Sequence, residues 1–566
     1  MPISLFVLFF GSLGVDFSSE IATPPVLSAI APQRTIAQSD DLFIRTELTI
    51  DLAEQLARVG EYDGAVEVAR SIEADYQQQY ALGRAAVQAI ANGDIDAVAE
   101  ILPNITSSNE LMNLSMFLSE AGEFDLALQA ADRGGGEAAL SRIAADLARS
   151  GQIDRALEIA DLVTDNPGFG IAWHSEALAE IAVSLARSGD NSKARTLALE
   201  IPDAETRAIA LTRIAIAFDE AGETVLARVI LAHSQLRLRQ HILDDRLRDN
   251  ALLGMGEATL EAGKIDWAQR ISEEVSEQIY RTWIWVKIAI FLGENGSSDA
   301  SDSYFVRARE NLNRFDNSHL SLNVVRAGII IELSQAGYIH LAREFSRTIE
   351  HKMVRVFQLQ YLARMAGDRD DLELAEDLLD EALNFNETIE DSRSQSASLF
   401  TIVEAFTYLK QFDRALEIAR SVPKIGDERA STLRMVAGEI AESGDVDRAI
   451  EVANDIENET WRRITFSEVA SKIAFAGRIS EALALAEEIE NSQLKSHALT
   501  NISIAIARQQ DFDGAVELAN TIEVDLSRSR AFLGIAREAI ETGDRQRGSQ
   551  LLSQARSLLV PQLRED

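Results

Sequence analysis

Residues 52–72 read LAEQLARVGEYDGAVEVARSI and residues 143–163 read IAADLARSGQIDRALEIADLV, two copies of one phrase, roughly I/L-A-x-x-L/I-A-x-x-G-x-x-D-x-A-L/V-x-I/V-A-x-x-I. The phrase recurs fifteen times between Gly60 and Gly543. A unit this short cannot bury its apolar face alone, so copies must stack, each against its neighbours. The expected fold is all-α: a solenoid of about fifteen α-hairpin repeats.

Aligning the copies on the glycine places anchors at 60, 93, 122, 151, 189, 222, 263, 303, 337, 370, 410, 444, 477, 510 and 543, and eight of the fourteen spacings are 33 or 34, a two-helix period. Glycine fills eleven of these anchors, as expected where a first helix ends with φ > 0. Three residues on, Asp63, Asp96, Asp125, Asp154, Asp266, Asp413, Asp447 and Asp513 are placed to cap a second helix. Around Gly477, Val469, Ala470, Ile473 and Ala474 recur at helical intervals before the turn, and Ala482, Leu483, Leu485, Ala486 and Ile489 after it. Alanine five past the anchor, in thirteen copies, implies that two helices approach closely there. The longer spacings point to loops at GENGSSDASDS (293–303) and NETIEDSRSQSAS (386–398), and Gly134–Gly136 reads as a tight link between copies.

The chain has 566 residues, 46% of them hydrophobic, enough for a continuous array over 41–560. With 54 Lys plus Arg against 91 Asp plus Glu, its formal charge is −37, which argues against nucleic acid as a partner and for a solvated acidic surface. No cysteine is present, so disulfides, thiol nucleophiles and thiolate metal sites are excluded. Residues 1–40 read as a signal peptide or membrane-proximal leader with a linker. The apolar run Ile3 to Val15 has signal-peptide length and is too short to span a bilayer, with cleavage expected near Ala31 or Ala37. Export to a periplasmic or extracellular space, or membrane tethering, is expected; a cytoplasmic chain is the alternative, and no integral membrane domain is expected beyond that leader.

The pairs Leu52-Ala53 and Ile143-Ala144, the turn residues Gly60 and Gly151, and then Ala65 and Ala156 resemble the tetratricopeptide repeat family, in a divergent form. The second helix carries Ala69, Ala160, Ala453 and Ala519 where that family usually has Tyr or Phe. A HEAT-like or other α-hairpin solenoid is the structural alternative. The resemblance implies that first helices line a concave groove at positions 13, 10 and 6 before the turn. It selects Arg434, Ser467, Ser471, His497, Thr500, Arg530 and Arg537, a polar and locally basic strip suited to carboxylates of an acidic or C-terminal peptide. Equally, these arginines could pair with acids on neighbouring copies. By the same rule Trp283 maps to the groove and Trp285 to the core, while Trp267 precedes a close-packing alanine. Candidate partner-binding residues are thus Trp283, Arg434, His497, Arg530 and Arg537. Arg237, Arg239, Arg246 and Arg248 form the densest basic patch.

The seven histidines form no His-Glu-x-x-His pair, and no G-x-S-x-G elbow, G-x-G-x-x-G fingerprint or Walker sequence occurs. No catalytic, cofactor-binding or metal-binding residue is assigned. The sequence therefore reads as a non-catalytic protein-interaction scaffold that binds partner proteins or peptides on the concave face. The rival reading is an α-superhelical or α/α-toroid hydrolase acting on glycan or peptide, which would need convergent acids around a closed pocket.

Overall fold

The computed structural model describes residues 37–164, 172–312, 320–423 and 426–560. Ile3 to Val15 and Ala31, on which the expectation of export rests, lie outside them; Ala37 opens the first described helix. Among the described residues there are thirty α-helices, from α1 (Ala37–Val59) and α2 (Tyr62–Arg70) to α29 (Asp525–Glu541) and α30 (Arg545–Leu559), and no strand. They pair into fifteen hairpins, odd-numbered helices first, numbered here in chain order.

The turn explains the glycine. Gly60 has φ 94°, its N–H bonds Ala57 O at 3.0 Å, and the N–H of Glu61 reaches back to Leu56 O at 2.9 Å, closing the first helix in a Schellman-type cap. A Cβ at Gly60 would meet nothing within 4 Å, so backbone conformation rather than space selects glycine. Asp370, Lys410 and Gln510 make the same turn at φ 60–66° without it.

One anchor moves: the eighth hairpin turns at Gly296 (φ 77°), not at Ser303, which lies inside α16 (Ser298–Leu312). The residue five beyond that turn is then Ser301, 2% exposed, its hydroxyl donating to Ala289 O at 2.7 Å. A small polar side chain replaces alanine there because its hydroxyl has a partner.

The caps also move. Asp94, Asp190, Asp371, Asp445, Asp511 and Asp544, one residue past the turn, accept from the backbone N–H three residues on. Aspartates three past the turn instead sit in the first turn of the second helix. There Asp125, Asp413 and Asp513 take guanidinium groups of the next hairpin, from Arg155, Arg448 and Arg547. The long spacings are absorbed mainly by helix: the second helices α12 (Thr224–His241), α16 and α20 (Leu372–Asn386) have 18, 15 and 15 residues, against 9 in α2. Accordingly the 293–303 and 386–398 stretches are split between turns and helices.

Alanine at the fifth position is packed between helices; Ala65, Ala156, Ala415, Ala482 and Ala515 are all 0% exposed. At Gly548 even a Cβ would lie 2.5 Å from Ile540 Cγ1 on the first helix of its own hairpin. Successive hairpins are further stitched by buried polar side chains. Gln79 Oε1 accepts from Thr106 N (2.6 Å) and Ser107 N (3.2 Å), and Ser175 Oγ from Asp203 N (3.0 Å). The Asp249 carboxylate does the same for Ser276 N (2.9 Å) and Glu277 N (2.6 Å). Each of these side chains on one first helix satisfies free N–H groups where the next first helix begins.

The chain divides into two compact units, one of Thr46–Phe315 with Lys495–Asp566, the other of Met1–Arg45 with Asp316–Leu494. The second holds hairpins 9 to 13. The first joins hairpins 1 to 8 with hairpins 14 and 15, so the beginning and end of the array meet inside one unit. Arg537 donates to both carboxylate oxygens of Asp51, at 2.8 and 2.9 Å. Arg556 pairs with Glu67 at 2.7 Å, Arg58 with Glu541 at 3.5 Å, and Ser549 donates to Glu61.

Candidate functional site

On each first helix the residues 13, 9, 6 and 2 before the turn share one side, since at 100° per residue they fall within about 60° of one another. Position 10 before the turn falls about 60° away from position 13, on the flank that packs on the next hairpin. The structure follows that geometry. Ser141, Ser467 and Thr500, all at position 10, are buried and donate to backbone carbonyls of the following hairpin, Trp173 O, Leu494 O and Ser527 O, at 2.8, 2.9 and 3.0 Å. Ser467 and Thr500 are therefore packing residues rather than groove residues; Ser471, at position 6, is buried as well, its hydroxyl donating to Ser467 O.

The solvent-facing stripe is laced by ion pairs between consecutive hairpins. In the larger unit Arg84 pairs with Glu54 (2.5 Å), Arg213 with Glu180 (2.8 Å) and Lys287 with Glu257 (3.3 Å). In the smaller, the pairs run from beside the stripe: Arg434, at position 10, pairs with Glu468 (2.5 Å) at position 9, and Lys472, at position 5, with Glu442 (2.5 Å) at position 2. Pairing of stripe cations with neighbouring acids is thus the rule.

The five candidate residues fare differently. Arg434 is engaged with Glu468, and its guanidinium carbon lies 5.8 Å from the Trp461 ring centre. Arg537 is engaged with Asp51 across the meeting of the two chain ends. His497, exposed, and Arg530, half-exposed, occupy position 13 of hairpins 14 and 15, the same place on two successive first helices. Arg434 belongs to the other unit.

Trp283 reverses the expectation. It stands at position 13 but is only 4% exposed, while Trp285 is half-exposed and donates from Nε1 to Ser272 Oγ at 3.1 Å. The reason is local: Lys287, one turn along, holds its ammonium 5.7 Å from the Trp283 ring centre while paired with Glu257. An ion pair covers the ring, and the indole Nε1 is buried without a hydrogen-bond partner. Neither the covering lysine nor the buried N–H follows from helical spacing, although Lys287 four residues after Trp283 was the signal for the first.

A cavity of about 410 Å³ opens where hairpins 1 and 2 meet hairpin 15, lined by Glu47, Asp51, Glu54, Arg58, Arg84 and Arg537 among others. Its chemistry is that of paired charges. Burial opposes the charge on Arg84, yet hydrogen bonds to Glu54 and Tyr80 hold its guanidinium above the ordinary value. Asp51 and Glu54 each face a guanidinium, so neither is presented as an unpaired acid. Among the described residues no cluster of three or more His, Cys, Asp or Glu could hold a metal ion, and no helix is long and apolar enough to cross a membrane.

No family model matches the chain, and no curated protein does. Solved structures do. Ton1535 from Thermococcus onnurineus NA1 is 16% identical, with 74% of this chain and 98% of that one covered at a TM-score of 0.23. Yeast Tom70 is 15% identical over 85% and 99%, at 0.23. The signal transduction ATPase PH0952 from Pyrococcus horikoshii, which carries a tetratricopeptide repeat sensor, is 14% identical over 87% and 89%, at 0.22. At such scores these likenesses bear on neither activity nor partner; the fold rests on the repeating turn, cap and alanine geometry of the chain itself.

Proposed function

We propose that this chain is a non-catalytic scaffold that holds protein or peptide partners along the solvent-facing stripe of its first helices. One observation carries the reading: apolar residues are packed between hairpins, while the stripe repeats exposed polar and charged side chains from helix to helix, a surface for an extended partner rather than a convergent reaction site. Within it, His497 and Arg530 stand at equivalent places on hairpins 14 and 15, with Arg537 about two turns beyond Arg530 on α29, suited to carboxylates of an acidic segment. Arg434 and Arg537 would exchange an intramolecular carboxylate for the partner's, which lowers their net contribution. Trp283 would contribute only after Lys287 moves off its face. Affinity purification of the chain from its own cells, followed by binding measurements on the recovered partner, tests the reading. Arg530→Ala should weaken binding by about 1–2 kcal/mol at unchanged helicity. Unchanged binding by both Arg530→Ala and His497→Ala would remove the stripe from consideration. A leader function for residues 1–40, delivering the scaffold across or to a membrane, completes the proposal.

A further inference from the structure

The second helix α12 of hairpin 6 has 18 residues, twice the 9 of α2. Its buried side uses Ala227, Ile230, Leu231, Ser234 and Leu238. The opposite side carries Val225, Val229 and Leu236, which are 80%, 59% and 52% exposed at spacings of 4 and 7 residues, one above another along the helix. Beyond the helix end, Leu243 (85%) and Leu247 (58%), the latter on the next helix α13 (Asp245–Glu261), are exposed as well. Isolated exposed aliphatics need no explanation, but three on one side of one helix leave an apolar face without a neighbour among the described residues.

The charge around this face is opposite to that of the molecule. In a chain of net charge −37, no Asp or Glu occurs from Thr224 to Leu243. Arg228 and Arg239 sit on the exposed side of α12, and Arg246 follows it. Arg239 is itself paired with Glu274 at 2.8 Å, which leaves Arg228 and Arg246 as the exposed arginines beside the face; of the other nearby acids, Asp219 is paired with Lys264 at 2.5 Å, Asp244 accepts from Leu247 N at 3.0 Å and Asp245 is paired with Arg248.

We infer that the exposed face of α12 is a docking surface for an acidic amphipathic helix of another protein, whose apolar side covers Val225, Val229 and Leu236 while its carboxylates meet the flanking arginines. The two helices would pair side by side over about three turns, as apolar stripes spaced 4 and 7 apart do. A second copy of this chain is disfavoured, since α12 has no carboxylate to offer its own arginines. The surface is a second helix, so the inference stands apart from the first-helix stripe proposed above.

Two synthetic peptides of about three heptads test it, each with Leu at the two core positions and either Glu or Lys at the flanking positions. Titrated against the full chain by fluorescence anisotropy, the Glu peptide should bind at least ten times more tightly than the Lys peptide. Val229→Glu with Leu236→Glu should weaken that binding at least tenfold. So should Val229→Lys with Leu236→Lys, which removes the apolar stripe but adds positive charge. Exposed positions tolerate these changes, and unchanged helicity by circular dichroism verifies it. Equal binding of both peptides, absence of binding, or variants that bind like the parent would overturn the proposal. So would a parent dimer, seen by sedimentation, that the Glu variant dissociates, because the face would then be covered by a second copy.

Discussion

Replacing Arg537 by Glu should open the meeting of the chain ends without unfolding the array. The Asp51–Arg537 pair has two bonds of 2.8 and 2.9 Å, but its side chains are 45% and 27% exposed, so solvent limits it to about 1 kcal/mol. Reversal removes that attraction and sets a fourth carboxylate beside Asp51, Glu47 and Glu54, which line the same cavity. The total is about 1–2 kcal/mol, a five- to thirtyfold shift towards the open form. An array this long does not unfold in one step, so a single melting curve would dilute the effect. Hydrogen exchange read peptide by peptide resolves it: hairpins 1 and 15 should exchange faster in Arg537→Glu, hairpins 3 to 6 should not. The chain has no cysteine, so Glu61→Cys with Ser549→Cys, joined by a short bismaleimide, gives a second readout. The bridge should form readily in the parent background and poorly with Arg537→Glu. Asp51→Arg added to Arg537→Glu should restore both signals. If exchange in hairpin 1 is unchanged, or the charge swap rescues nothing, the ends are not held by this pair.

Ala482→Phe should lower stability by about 1–3 kcal/mol, seen as a lower thermal midpoint, because Ala482 is 0% exposed between helices. Lys410→Gly and Gln510→Gly should each raise the midpoint slightly: a left-handed residue with a Cβ costs about 1–2 kcal/mol and glycine's extra chain entropy about 0.5–1. Glu381 accepts from Arg343, Arg347 and Arg355 at 2.7, 3.3 and 3.2 Å; burial opposes its charge, but these bonds hold its carboxyl below the ordinary value. The stability it gives is therefore complete above about pH 4.3 and lost as pH falls through the depressed value, so Glu381→Gln should cost about 2 kcal/mol at pH 7 and progressively less below pH 4 by thermal melts. Amino-terminal sequencing of the native protein should find a start near Pro32 or Gln38, after Ala31 or Ala37; an uncleaved Met1 chain in the soluble cytoplasm would refute export.

The hairpins were legible because their signals are local. A turn that needs φ > 0, an aspartate near it and an alanine five beyond it lie within six residues, and each has a steric or hydrogen-bonding cause. Where the sequence reading slipped, two local signals competed. Ala308 suggested an anchor at Ser303, whereas the chain turns at Gly296 and fills the close contact with Ser301. Aspartate recurs more often three past the turn than one past it, so frequency alone points to the wrong cap. At Asp125, Asp413 and Asp513 it instead serves an arginine of the next hairpin, a relation that spans 30 to 35 residues.

The candidate site was less legible for the same reason carried further. Burial of Trp283 depends on Lys287 being held by Glu257 of the previous hairpin, and the fate of Arg434 on Glu468 of the next. Arg537 depends on a residue 486 positions away, and among 54 basic and 91 acidic residues no spacing singles out Asp51 as its partner. Yet the consequence is architectural. An open array needs polar outer faces on its first and last repeats. Here Leu52, Ala53, Leu56 and Ala57 in hairpin 1, and Leu551, Leu552, Ala555 and Leu559 in hairpin 15, are all at most 3% exposed. Between these two hairpins run charged and polar pairs with three acids on the first and Arg537, Ser549 and Arg556 on the last. Such pairs contribute little energy each, but they fix which residues meet, because a shifted docking would leave carboxylates facing Glu541 rather than arginines. The terminal hairpins thus meet through charged and polar side chains, and charge sets the register in which they do so.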